Sequence, residues 1–236
     1  MRRTAWTLLT ATVAGCAAPQ ALRPTEPAVV VARGAEPTPA EVDHLGRAAE
    51  YLDKGDDGGA VPHLTAHVAA YPNAVMVRAY LAELHFKLGQ VEKAKPHFAR
   101  FVRDAAGMTG AAGKHLTHGH TRLMEIAALG DDAFAEQLHR GIGLVLLVRQ
   151  WDAEPEASEA ELDELTETTL VRAAGALKIA RELDASDARV HLYLAEAWGR
   201  LGQHSAARAA RATAKQLLPD AGLNADERAR LRAAAE

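Results

Sequence analysis

Ala60-Val61-Pro62-His63-Leu64 and Ala94-Lys95-Pro96-His97-Phe98 are one pattern, A-x-P-H-apolar, written twice at a spacing of 34. The same offset pairs Gly55 with Gly89, Ala48 with Ala82, Leu52 with Phe86 and Val68 with Val102. So many matches at one offset mark an internal repeat. Within each copy a small residue is followed four positions later by a large apolar one, which places both on one face of a helix. The glycine ahead of them supplies a turn, so each copy is read as two helices joined at Gly55 or Gly89.

A period of 34 residues in helix pairs resembles the tetratricopeptide repeat family. The first unit, about 41–74, offers Ala48, Tyr51, Gly55, Ala60, Leu64 and Pro72, and departs from the family at Arg47 and His67. The second, about 75–108, offers Leu81, Ala82, Gly89, Ala94 and Phe98. A third at 188–221 offers Leu194, Ala195, Trp198, Gly202, Ala207, Ala214 and Pro219, with Arg211 where a large apolar residue is expected. The resemblance implies an all-α, right-handed α-solenoid in which each unit buries an apolar face on its neighbour.

Residues 109–187 are read as an irregular helical section. Residues 103–114 read as a glycine-rich loop. A helix pair follows, Leu116 to Gly130 and Asp132 to Val148, turning at Leu129-Gly130. Gly141 to Val148 is apolar enough for a buried helix. Ser158 with Glu161 forms a capping box for one long helix reaching about Leu183. Asn224 with Glu227 opens a polar, Ala-rich capping helix, so 188–236 is a repeat plus its cap. The expected total is eight or nine helices and no strands.

The start of the chain reads as an address. Met1-Arg2-Arg3 precedes a ten-residue apolar run, Ala5 to Ala14, too short to span a bilayer. The run ends in Val13-Ala14-Gly15-Cys16, which resembles the lipobox of bacterial lipoproteins. That resemblance implies a signal peptide over 1–15 and acyl chains on Cys16 that hold the protein to a membrane. Ala17 after the cysteine favours the periplasmic face of the outer membrane in a Gram-negative cell. Pro19, Pro24, Pro27, Pro37 and Pro39 make 16–40 an extended tether.

Composition limits the chemistry. Lys and Arg number 27 against 31 Asp and Glu, so a backbone-tracking nucleic-acid binder is not expected. One cysteine rules out an internal disulfide and a CxxC redox pair. No nucleophile elbow or HExxH stands in the chain, no cofactor is implied, and an enzyme is not expected. The histidines His115, His118 and His120, with His139 able to approach from the next helix, are the candidate metal cluster. Their alternative reading is a solvated helix start.

What remains is binding to a protein or peptide partner in the cell envelope. In the repeat family the first helix of each unit lines the concave face. Carried over, that assigns Leu45, Ala49 and Leu52 in the first unit and Met76, Ala79, Glu83, Phe86 and Lys87 in the second. In the 188–221 unit it assigns Arg189, Leu192, Glu196 and Arg200. The competing reading for Leu45, Leu52 and Leu192 is packing on the adjacent helix. Lys87, Glu83 and Arg200 can equally be plain surface charges.

Overall fold

The computed structural model describes residues 43–108, 115–153, 159–217 and 222–233. The expected signal, Cys16 and the tether lie outside them, as do 109–114 and Ser158 of the expected capping box. The described residues form ten helices and no strands. These are α1 (His44–Asp53), α2 (Asp57–Ala70), α3 (Val75–Lys87), α4 (Val91–Asp104), α5 (Leu116–Leu129), α6 (Ala133–Ala153), α7 (Glu159–Leu183), α8 (Ala188–Arg200), α9 (His204–Gln216) and α10 (Ala225–Ala233). They pack as successive antiparallel hairpins, the all-α solenoid that the 34-residue period implies.

The repeat is visible atom by atom at the turns. Gly55, Gly89 and Gly202 all take a left-handed φ, at 73°, 71° and 73°. In each case the next residue donates its N–H back across the turn, Asp56 to Tyr51, Gln90 to His85 and Gln203 to Trp198, at 2.8–2.9 Å. That six-to-one bond closes a Schellman cap, and only glycine adopts its backbone without strain. The middle hairpin uses the same bond with a different residue. Asp132 donates to Ala127 at 2.9 Å, and Asp131, not Gly130, holds the positive φ of 54°. The turn therefore falls one residue later than the Leu129-Gly130 expected. Aspartate tolerates this region better than most side chains, and so it stands where no glycine marks the spot.

The repeated histidine also has a structural use. His63 stacks on Tyr51 with ring centroids 5.6 Å apart, and His97 stacks on His85 at 5.8 Å. Both members of the second pair lie 34 residues beyond those of the first. Ala60, Leu64 and Val68 bury the inner face of α2 against Ala48, Leu81 and Leu84. Ala94 and Phe98 do the same for α4 against Ala82, Leu123 and Ile126.

The irregular section is a change of register. α6 packs on α5 before it and on α7 after it, and it touches α8 as well. It thus closes one hairpin and opens the next. Leu138, Ile142, Val145 and Val148 on α6 share one core with Leu170, Ala173 and Leu177 of α7 and with Val190, Leu194 and Trp198 of α8. Glycine permits the close contact at two points. A Cβ on Gly141 would sit 2.4 Å from Cγ of Leu177, and one on Gly119 would sit 2.8–2.9 Å from Val102 and Phe101. No described helix is long and apolar enough to cross a membrane. At the end, Asn224 and Glu227 exchange bonds as a capping box, backbone N–H to side-chain oxygen in both directions, at 2.8 and 2.9 Å.

Candidate functional site

The first helices of the hairpins carry the assigned binding residues, and the charged ones among them are paired with other residues of the chain. Glu83 on α3 accepts two bonds from the Arg122 guanidinium on α5, at 2.6 and 3.0 Å, and one from Nε2 of His118 at 3.0 Å. Burial alone would raise the Glu83 carboxyl. The hydrogen bonds from His118 and Arg122 outweigh it and hold it at about 2. The same guanidinium lies 4.7 Å over the Phe86 ring, so Phe86 is covered by a cation. Lys87 donates to Asp57 at 3.0 Å, a bond that raises its pKa.

The apolar candidates are mostly internal. Leu45 and Leu52 pack on the first core cluster, and Met76 with Ala79 on Phe101, Ala105 and Leu116. Leu192 is 5% exposed. Arg189 folds back on Asp187, its own helix cap, and Ala49 is exposed.

The C-terminal half keeps an open groove of about 490 Å³. It is lined by Arg149, Leu192, Ala195, Glu196, Gly199, Arg200, Arg211 and Arg230. Four arginines face a single lining carboxylate. Glu196 on α8 is shared between Arg149 of α6 and Arg230 of α10. Arg230 also reaches Asp226 at 2.8 Å and donates to the Tyr193 hydroxyl at 3.1 Å. Tyr193 in turn donates to Glu227 at 3.1 Å. Burial, with Glu227 next, pushes the Tyr193 phenol well above its usual range, so it stays a neutral donor. Arg200 is held at the rim by both oxygens of Asp152, at 2.7 and 2.8 Å. Arg211 has no carboxylate partner among the described residues. Of the residues assigned from sequence, Leu192, Glu196 and Arg200 meet here. Arg149, Arg211 and Arg230 were not assigned. Arg211 carried a signal, as a charge where the repeat calls for a large apolar residue.

The three clustered histidines do not converge. His115 precedes α5, His118 faces outward to Glu83, and His120 turns inward. His120 meets His139 of α6 instead, Nδ1 to Nδ1 at 3.0 Å. No group of three or more His, Cys, Asp or Glu side chains suited to a metal stands among the described residues.

No family model matches the chain, and no curated protein is a significant match. Solved structures do match. A MamA protein is 15% identical, covering 74% of this chain and 89% of its own, with a TM-score of 0.38. A MamA fragment from Desulfovibrio magneticus is 14% identical, covering 75% and 93%, at 0.30. An assembly chaperone of RpL4 is 15% identical over 75% of each chain, at 0.35.

Proposed function

We propose that this protein is a lipid-anchored scaffold of the cell envelope that holds an acidic segment of a partner protein in the arginine-lined groove. The groove is the observation that carries the reading. Its walls are set by the ion pairs of Arg149, Arg200 and Arg230, and Arg211 remains as an uncommitted cation. An incoming carboxylate accepts charge-assisted hydrogen bonds there without first breaking a salt bridge. A groove that only recognises a segment needs no acid–base machinery, which suits a scaffold rather than an enzyme.

A fluorescent decapeptide of alternating Glu and Leu is expected to bind the full-length protein. Arg211→Glu should weaken that binding by at least tenfold, and added salt should weaken it further. Equal binding of a Gln-Leu peptide, or no change in Arg211→Glu, would sink the groove assignment.

The anchor is supported by Val13-Ala14-Gly15-Cys16 at the end of a basic-then-apolar start. Intact mass should give a chain from Cys16 plus acyl groups. The Cys16→Ala variant should leave the detergent phase for the soluble fraction. A wild-type chain without acyl groups, partitioning like the Cys16→Ala variant, would remove the anchor.

A further inference from the structure

α5 and α7 both pack on α6 and scarcely on each other, which leaves an open trough of about 470 Å³ between them with α6 as its floor. On α7 its wall is Arg172, Ala176 and Ile179, at the i, i+4, i+7 spacing of one helix face. Leu144 and Leu147 line the floor, and Met124 lines the α5 side. Gly143, also on the floor, adds no side chain to fill the space. The α7 stripe covers seven residues, so the trough is about 10 Å long. Its volume is in the range that takes a small organic ligand.

The charge along it has one sign. Arg140 and Arg172 line the trough, and no carboxylate does among the described residues. Arg140 is already paired, donating to Glu136 one turn back on α6 at 2.5 Å. Arg172 is exposed and makes no salt bridge among the described residues. His139 adds no charge, because burial, then the positive Arg189 and Lys95, holds its imidazole at about 3. Gly141 of α6 abuts Leu177 of α7. The two helices are antiparallel, so Arg172 falls at the Leu147 end of the trough and Ile179 at the Arg140 end. The uncommitted guanidinium therefore stands at one end, and apolar side chains lead from it to Ile179, which is 48% exposed.

We propose that this trough binds the anion of a medium-chain fatty acid, with its carboxylate on Arg172 and its chain laid over Leu144 and Ala176 toward Met124 and Ile179. A planar guanidinium gives a carboxylate two parallel hydrogen bonds, and one uncommitted arginine matches a head of single charge. The chain takes Leu147 and Ile179 out of water together with itself, and each methylene so buried raises affinity by up to about fourfold. An alkyl ammonium of equal length covers the same surface but sets its charge against Arg172, so the sign of the head decides what binds. The trough shares no lining residue with the arginine groove, and the two sites stand or fall separately.

The test is a fluorescence titration of the full-length chain with a dansyl-labelled undecanoate. The chain carries Cys16→Ala, so that no acyl group of its own competes. One probe per chain should bind, with blue-shifted emission. Decanoate should displace it at least tenfold better than decyltrimethylammonium, and better than hexanoate by up to about fourfold per methylene. Arg172→Gln and Ile179→Glu both change exposed side chains, and each should weaken decanoate at least tenfold. Arg208→Gln, an exposed cation of α9, should not. An excess of the Glu-Leu decapeptide should leave the probe in place. No saturable binding, equal displacement by the alkyl ammonium, or unchanged affinity in Arg172→Gln would overturn the proposal. So would displacement by the decapeptide, which would give the site to an acidic segment instead. An unfolding midpoint in Arg172→Gln equal to the parent's ties the loss to the site and not to the fold.

Discussion

Gly141→Val is expected to lower the unfolding midpoint of the protein by about 10 °C. The position is where α6 and α7 come closest, and Cγ of Leu177 lies 2.4 Å from where a Cβ would be built. Leu177 is fully buried and has nowhere to go. Against this stands the helix propensity that any side chain gains over glycine, less than about 1 kcal/mol. Overpacking a closed core costs about 1–3 kcal/mol, and the β-branch places valine at the upper end. Sterics win. At about 2–4 °C per kcal/mol for a domain of this size, the shift is easily read by calorimetry. Leu177→Ala alone should destabilise through its cavity, and the double variant should be better than the sum of the singles. A midpoint within 1 °C of wild type for Gly141→Val would show that α6 and α7 do not meet there.

Acidification is expected to weaken the fold from about pH 6.5 downward, before any carboxylate is protonated. His139 sits at about 3 in the folded chain against 6.5 when free, and His120 is depressed in the same direction. The unfolded state binds the proton more readily than the folded one. Stability is therefore complete above pH 6.5 and falls as pH drops toward 3. For His139 alone the loss between pH 7 and pH 5 is about 2 kcal/mol. His97 and His67 are also lowered, chiefly by burial, and add to the slope. Glu83 acts in a second window. Its pKa falls from 4.5 to about 2, so its contribution is present above 4.5 and is lost only below it. Urea unfolding at pH 7.5, 6 and 5 should show the slope, and His120→Leu/His139→Leu should flatten it. An equal slope in wild type and the double variant would place the proton uptake elsewhere.

Much of the fold was legible because repetition doubles every local signal. Ala60 or Gly55 alone says little, but each recurs 34 residues later as Ala94 and Gly89, and the turns match bond for bond. Asp131 was not legible, since an aspartate in a left-handed turn looks like any surface acid. The binding residues were legible as positions and not as contacts. Glu83 and Glu196 lie on the first helices as expected. Their partners, Arg122 and Arg149, belong to the irregular section, where no period sets the register. A charge assigned to a partner protein was in fact spent on the next hairpin. His139 was seen as a possible companion for three histidines, and the helix turn selected only His120.

The double role of α6 has a mechanical consequence. An array of self-contained hairpins has a soft joint between every pair, and under tension it gives way one unit at a time. Here the helix that ends one hairpin is the helix that begins the next, and Glu196 straps α6 and α10 together across α8. A load drawn through the chain from α5 to α9 meets no seam at which to yield. The C-terminal half should behave as a stiff bracket, and any bending of the solenoid under a partner's pull is confined to the hairpins before it.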